Sequence, residues 1–224
     1  MGNTDKNLLL SQRELLILLY KYELSGLIFP ESLTSVSAND EELKTAMAEL
    51  IQDGYLVPGE NDMYKLAPEI RRVMDTLVNS VNTYVVQSNR EELAGMYVYS
   101  INSEAVVIEQ DSRHKGWIKI RAVHLKDFID DLTEYDFMPK GGMNLYIFSK
   151  QEAVVDLNAE PEEVLKNDKV CLLIERFRKG TLEREKCICI TREPALDWIY
   201  VAKNGKTEMM LYSPELFSDS VMED

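Results

Sequence analysis

Length, composition and charge narrow the classes of protein to which this chain can belong. Its 224 residues, of which 45% are hydrophobic, can bury one large core or two modest ones, and we expect two. The formal net charge of -14 at pH 7 repels polyanions, so nucleic acid and anionic membranes are poor partners unless a local basic patch overrides the average.

The first predicted element is a helix from about residue 11 to residue 24. Ser11 followed by Glu14 is a capping-box pattern, in which each side chain satisfies a backbone amide of the other residue. Apolar residues form one stripe along this helix, but Leu16 and Ile17 extend the apolar surface beyond what a surface helix needs. This second face requires a partner, which is either the rest of the chain, a second copy of the chain or another protein.

A second helix is predicted from about residue 40 to residue 53, after a short apolar segment at 33–36. Asn39 and Glu42 repeat the capping-box pattern at its start, and Gly54 is suited to end it. Between these ends, apolar residues recur every three or four positions, which predicts one buried face.

A β-hairpin and a third helix follow. Apolar residues at 55–57 and 63–66 flank the turn-forming residues 58–62, a pattern typical of strand, turn and strand. Pro68 then suits the first turn of a helix whose apolar residues have helical spacing.

Over roughly residues 8–80, this order of helix, short helix, amphipathic helix, two-stranded wing and further helix resembles the winged-helix superfamily. In DNA-binding members, the equivalent of the 40–53 helix enters the major groove, and Lys and Arg side chains contact phosphates. Here the solvent face of that helix has Lys44 as its only base. The acids on this face and at the tip of the wing are Glu41, Glu42, Glu49, Glu60 and Asp62.

The charge count of this module points away from DNA. Residues 1–80 contain seven bases and thirteen acids, a net charge of -6. Arg71 and Arg72 are adjacent bases on the third helix, and we interpret them as part of a solvated face. The module is therefore predicted to serve protein binding or a structural role.

From about residue 84 the pattern changes to short alternating runs typical of strands, in two series that each end in a helix. The first series comprises strands at 84–87, 96–101, 105–109 and 117–122 and ends in a helix with the apolar stripe Leu125, Phe128, Ile129 and Leu132. A further strand at 143–148 is predicted before the second series. The second comprises strands at 170–177, 187–191, 198–202 and 208–212 and a short helix that begins near Ser213. The predicted fold class is α+β, with a winged-helix module at 1–82 and an antiparallel-sheet module at 83–224. A degenerate internal duplication stays open.

Two hairpins of the second module have distinct sequences. Asn204-Gly205 is a strong two-residue turn signal, and a turn centred there predicts cross-strand pairs. The predicted pairs are Ala202 with Thr207, Tyr200 with Met209, and Trp198 with Leu211.

The other hairpin turns near Lys179 and carries the densest group of bases in the chain. These bases, which we call the basic cluster, are Arg176, Arg178, Lys179, Arg184 and Lys186. Two interpretations stay open: charges that protect an edge hairpin from aggregation, or a docking site for an acidic partner. Nucleic acid is disfavoured because Phe177 is the only aromatic residue among these bases and nearby acids offset their charge.

No motif for catalysis or for a cofactor is present. The sequence has no phosphate-binding loop and no GxSxG nucleophile elbow, and His114 and His124 lack metal-site spacing with the cysteines. Cys171, Cys187 and Cys189 are an odd number of cysteines in a chain without a signal peptide pattern, which predicts buried thiols in a cytoplasmic protein. We therefore expect no enzyme activity, no metal and no other cofactor.

An acidic winged helix joined to an α+β module is similar in architecture to the EspG-type chaperones of type VII secretion systems. This resemblance implies a cytoplasmic, cofactor-free protein that holds a secreted partner through an exposed face. The predicted function is non-catalytic protein binding, as an adaptor or secretion chaperone, with neither membrane nor nucleic acid as partner. Its candidate partner-binding residues are Leu16, Ile17, Arg176, Arg178, Lys179, Arg184 and Lys186. The alternative is a winged-helix transcription regulator with a C-terminal sensing or dimerisation domain, and a homodimer stays open.

Overall fold

The computed structural model describes residues 7–22, 27–29, 39–60, 63–90, 93, 95–111, 113–140, 155–181, 183–193 and 196–223. The described elements are, in chain order, β1 (Leu8–Ser11), α1 (Gln12–Lys21), α2 (Asp40–Gln52), β2 (Leu56–Pro58), β3 (Tyr64–Leu66), α3 (Pro68–Asn79), β4 (Asn82–Gln87), β5 (Met96–Ile101), β6 (Glu104–Gln110), β7 (Trp117–His124), α4 (Leu125–Thr133), α5 (Pro161–Leu165), β8 (Val170–Arg178), β9 (Arg184–Thr191), β10 (Trp198–Lys203), β11 (Lys206–Leu211) and α6 (Pro214–Met222).

The α+β class with antiparallel strands is confirmed. The chain forms two compact units, and neither is continuous in sequence. Unit 1 comprises residues 1–83, 96–123 and 179–181, and unit 2 comprises residues 84–95, 124–178 and 182–224. Compact units of this kind do not test whether residues 1–82 fold alone. The domain boundary at residue 82 therefore stays a prediction. None of the described helices is long and apolar enough to cross a membrane.

The first described element of unit 1 is β1, which leads directly into α1. The predicted capping box is present: the Glu14 amide donates to Ser11 Oγ at 3.2 Å, and the Ser11 amide donates to Glu14 Oε2 at 2.7 Å. Strand β1 was not predicted from the sequence. It pairs antiparallel with β7, placing Leu8 opposite Ile120 and Leu10 opposite Ile118. The three-residue run of leucines is too short to show strand alternation by itself.

Helix α2, hairpin β2–β3 and helix α3 follow as predicted, within one or two residues at their ends. Asn39 and Glu42 form the second capping box, and Gly54 has a φ of 75°, a left-handed conformation that ends a helix without a Cβ clash. The short apolar segment predicted at 33–36 lies outside the described residues. Helix α3 begins at Pro68, as expected for the first helical turn.

In the core of unit 1, the three helices pack against the strands of the unit. The order of these strands in the sheet is β1-β7-β6-β5. Buried side chains of the helices and of strands β6 and β7 form one cluster, which includes Leu15, Leu18, Leu50, Ile70, Met74, Leu77, Val106, Ile108, Ile118 and Ile120. The apolar faces of α1, α2 and α3 are thus covered in part by strands that come after residue 82.

Unit 2 contains the strand order β4-β8-β9-β10-β11. The predicted turn at Asn204-Gly205 is confirmed, with φ values of 53° and 71°, and all three predicted cross-strand pairs are present. Apolar residues of β8, β9 and β10 pack against Val164 of the short helix α5, which the sequence analysis missed. The strand predicted at 143–148 lies outside the described residues.

One interpretation of the basic cluster is wrong. Its hairpin, β8–β9, is not at an edge of the sheet, because β8 also neighbours β4 and β9 also neighbours β10. Aggregation protection of an exposed edge therefore cannot explain these bases. The edge strand of unit 2 is β11, whose Lys206, Thr207 and Glu208 are exposed.

Candidate functional site

The thiols of the chain are placed for packing. Cys171, Cys187 and Cys189 are buried and free of disulfide bonds. Burial raises the pKa of the Cys171 and Cys189 thiols and raises that of Cys187 to about 12, so all three stay protonated at neutral pH. In the described part of the chain, no three side chains of His, Cys, Asp or Glu are grouped so that they could hold a metal ion.

Two members of the basic cluster are buried. Arg176 and Lys186 are 5% and 4% exposed. They lie opposite each other in the β8–β9 register, and Arg176 Nη1 and Lys186 Nζ both donate to the main-chain oxygen of Glu223 at 3.0 Å. These two cations fix the main chain directly after α6, so their role is structural.

The other members of the basic cluster are also engaged. Arg184 donates to Glu175 Oε1 at 3.0 Å and to the Leu157 carbonyl at 2.8 Å. Arg178 Nε lies 3.0 Å from a carboxylate oxygen of Glu185. Lys179 Nζ donates to the carbonyl of Val78. The hydrogen-bonding groups of these side chains serve contacts within the fold, and the proposal of a docking site here loses its main support.

The predicted excess apolar face of α1 is partly covered by unit 1 itself. Ile17 is half-buried and packs against the core of the unit. Leu16 is half-buried, whereas Tyr20, one turn further on, is 86% exposed. At the start of the same face, Arg13 Nη2 lies 2.5 Å from Glu42 Oε1 of α2. The surface that α1 offers to a partner is therefore narrower than the sequence predicted.

Helix α2 presents an acidic surface to solvent. Asp40, Glu41, Glu49 and Asp53 are exposed in or directly after this helix, and Lys44 is its only base. Acids in the first turn favour a helix because they lie at the positive end of its dipole, but Glu49 and Asp53 lie at the negative end and disfavour it. Helix stability therefore does not account for the acids at the C-terminal end.

A cleft of about 700 Å³ lies in unit 1 between hairpin β2–β3, helix α3 and the turn that joins β5 to β6. The hairpin contributes Val57 and Lys65, which are directly opposite each other and so point to the same side of the hairpin, together with Leu66. The turn between β5 and β6 contributes Ile101 and Glu104. Helix α3 contributes the remaining lining residues: Pro68, Arg71, Arg72, Asp75, Thr76 and Asn79.

Some charged side chains of this cleft form ion pairs and others do not. Arg72 Nη2 lies 2.6 Å from Glu104 Oε2, and both side chains are partly exposed. The side chains of Lys65 and Arg71 are exposed and, in the part of the chain that the structure describes, make no ion pair or hydrogen bond. Three of the seven bases between residues 1 and 80 therefore line this one cleft.

Arg71 and Arg72 stand out in the sequence as adjacent bases, but the cleft that they line was not predicted. The available signal was the position of Lys65 in a hairpin directly before a helix with two adjacent arginines. Glu104 could not be added from the sequence, because 32 residues separate it from the arginine that it contacts.

Comparison with known proteins identifies no family. No protein-family model matches the chain. No curated protein matches its sequence. Function is therefore inferred from the charges, exposure and contacts of the described side chains.

Proposed function

We propose that this protein binds another protein and has no catalytic role, with a winged-helix module in unit 1 as the binding module. The observation that carries the proposal is the acidic surface of α2. A helix that reads the major groove needs Lys and Arg to neutralise phosphates, and each contact releases counterions that favour binding. Four exposed acids outnumber a single lysine on this surface, so it repels the phosphate backbone instead.

The order of α1, α2, hairpin β2–β3 and α3 supports the winged-helix proposal. The α+β class supports the broader similarity to EspG-type secretion chaperones, with a secreted protein as partner and a cytoplasmic location. A strand series that ends in a helix occurs twice, as β4–β7 with α4 and β8–β11 with α6, which supports the proposed internal duplication.

A DNA-binding assay separates this function from the transcription-regulator alternative. Wild-type protein is expected to produce no gel shift with random duplex DNA, even near 50 mM salt. The charge-reversal variant E41K/E49K is expected to gain weak binding that is lost near 200 mM salt, since it replaces two acids of α2 by bases. E162K/E208K, which reverses two exposed acids of unit 2, serves as the matched control. Salt-dependent DNA binding by the wild-type protein would support the regulator.

Protein binding is tested by co-purification. Tagged full-length protein is purified from its native host, and the bound proteins are identified and quantified by mass spectrometry. One partner in stoichiometric yield is expected. Recovery of only the tagged chain, at low and at physiological salt, would contradict the proposed function.

A further inference from the structure

The unit 1 cleft has the length of a short extended peptide. Its lining residues on α3 recur from Pro68 to Asn79 at intervals of three or four, which places them along one face of the helix. At about 1.5 Å per residue the two ends of this face are roughly 17 Å apart, and an extended chain covers that distance with about five residues. The opposite face of α3 is buried in the core of unit 1.

The cleft combines an apolar floor with charged walls. Val57 and Ile101 are half-buried, so the floor offers apolar surface to a side chain that enters from solvent, while Leu66 lies buried in the core beneath it. Lys65 and Arg71 stand at the end nearest the hairpin. This arrangement is unusual for unit 1, whose other exposed surface on α2 is acidic.

We infer that this cleft binds an acidic peptide segment of a partner protein, with an apolar side chain of that segment on the floor and its carboxylates at Lys65 and Arg71. The inference rests on the proposed function and names the surface and the chemistry of the partner. The cleft is lined by three cations, Lys65, Arg71 and Arg72, and by two acids, Asp75 and Glu104. Charge complementarity favours an acidic segment, because the side chains of Lys65 and Arg71 make no ion pair within the described chain whereas Glu104 is paired with Arg72. That exposed ion pair is weak enough for a further carboxylate to share Arg72.

A segment of a protein fits this cleft better than a small molecule. Sites for small ligands bury most of the ligand surface. Most lining residues here are exposed, including Lys65, Pro68, Arg71 and Asp75, so one side of any occupant remains in water. An extended segment tolerates this arrangement because its backbone and alternate side chains can stay solvated.

The test uses full-length protein and synthetic fluorescein-labelled peptides in fluorescence anisotropy titrations near 50 mM salt. The probe has the sequence EEDLFDEE. One control peptide, KKRLFRKK, reverses the charges, and another, EEDGGDEE, removes the apolar centre. We expect saturable binding of the probe and at least about tenfold weaker binding of both controls.

Variants assign the binding to the cleft. K65A/R71A is expected to weaken binding of the probe about tenfold, whereas K44A/K206A, which removes two exposed bases elsewhere, should change it less than about twofold. K65E/R71E should gain affinity for KKRLFRKK, a result that requires a folded protein. The inference is overturned by absence of probe binding up to about 1 mM, by equal loss in K44A/K206A, or by equal binding of EEDGGDEE. Tighter binding of a ten-nucleotide thymidine strand than of the probe, lost in K65A/R71A, would assign the cleft to nucleic acid and also overturn it.

The two proposals fail separately. If a stoichiometric native partner is retained equally by wild-type protein and by K65A/R71A, the partner binds elsewhere and only the inference about the cleft fails. If the probe binds as expected but no native partner co-purifies, the proposed function fails and the cleft remains a peptide-binding site.

Discussion

Replacement of Glu14 by glutamine is expected to stabilise the folded protein at neutral pH. Glu14 is only 1% exposed. Its Oε2 accepts the amide of Ser11 at 2.7 Å, but its Oε1 is buried without a hydrogen-bond partner in the described chain. Burial raises the pKa of this carboxyl above its ordinary value, and the carboxylates of Glu49 and Asp53 raise it further. Glutamine keeps an oxygen for Ser11 and removes the charge.

The direction of the pH dependence follows from the raised pKa. Well below the ordinary value of 4.5, Glu14 is protonated in the folded and in the unfolded chain, and its contribution to stability is fully present. As pH rises from 4.5 through the raised pKa, the folded state keeps its proton more tightly, so the free energy of unfolding falls. A buried unsatisfied polar group costs about 1–3 kcal/mol when neutral and more when charged, so an amide at this position removes the additional cost of the charge. We therefore expect E14Q to gain on the order of 1 kcal/mol at pH 7, equivalent to about 2–4 °C in Tm.

Urea denaturation of wild-type and E14Q protein across pH 4 to 8 measures this difference. The gain is expected to be absent at pH 4 and to grow as pH rises. E208Q, which neutralises an exposed acid, controls for the change in net charge and should show no such growth. The reasoning is refuted if E14Q is no more stable than wild-type protein at pH 7, or if E208Q gains equally.

Two further predictions concern the basic cluster and the boundaries of unit 1. R176A is expected to lower the free energy of unfolding by about 1–3 kcal/mol, because a buried hydrogen bond is lost, whereas R178A should change it by less than about 1 kcal/mol. If urea denaturation shows small and equal losses of unfolding free energy in R176A and R178A, Arg176 has no structural role and is again a candidate docking residue. A fragment of residues 1–82 is expected to melt without cooperativity, since strands β6 and β7 complete its core, while residues 1–124 should melt cooperatively. A sharp transition for 1–82 in circular dichroism would instead favour the predicted domain boundary.

Local patterns made much of the fold predictable. Ser11 with Glu14, Asn39 with Glu42, and the turn at Asn204-Gly205 each act through residues at most three positions apart, so the sequence contains all the information that they need. The apolar stripe of α4 was predictable for the same reason, since its period of three and four belongs to one helix.

Features that depend on distant residues were not predictable. Strand β1 exists because Leu8 and Leu10 meet a strand more than a hundred residues later. The basic cluster was interpreted as edge protection or as a docking site, because nothing in the local pattern shows that Arg176 and Lys186 meet the main chain at Glu223. The cleft was missed for a related reason, since one of its walls comes from the turn between β5 and β6.

The discontinuity of unit 1 also affects how the protein is made. Ribosomes add about 5–20 residues per second, so strands β6 and β7 emerge several seconds after helix α3. During this interval, side chains such as Leu15 and Leu77 lack the strands that later cover them. The nascent chain therefore exposes an apolar surface that a ribosome-associated chaperone can bind, and slower translation between residues 83 and 123 would prolong that exposure.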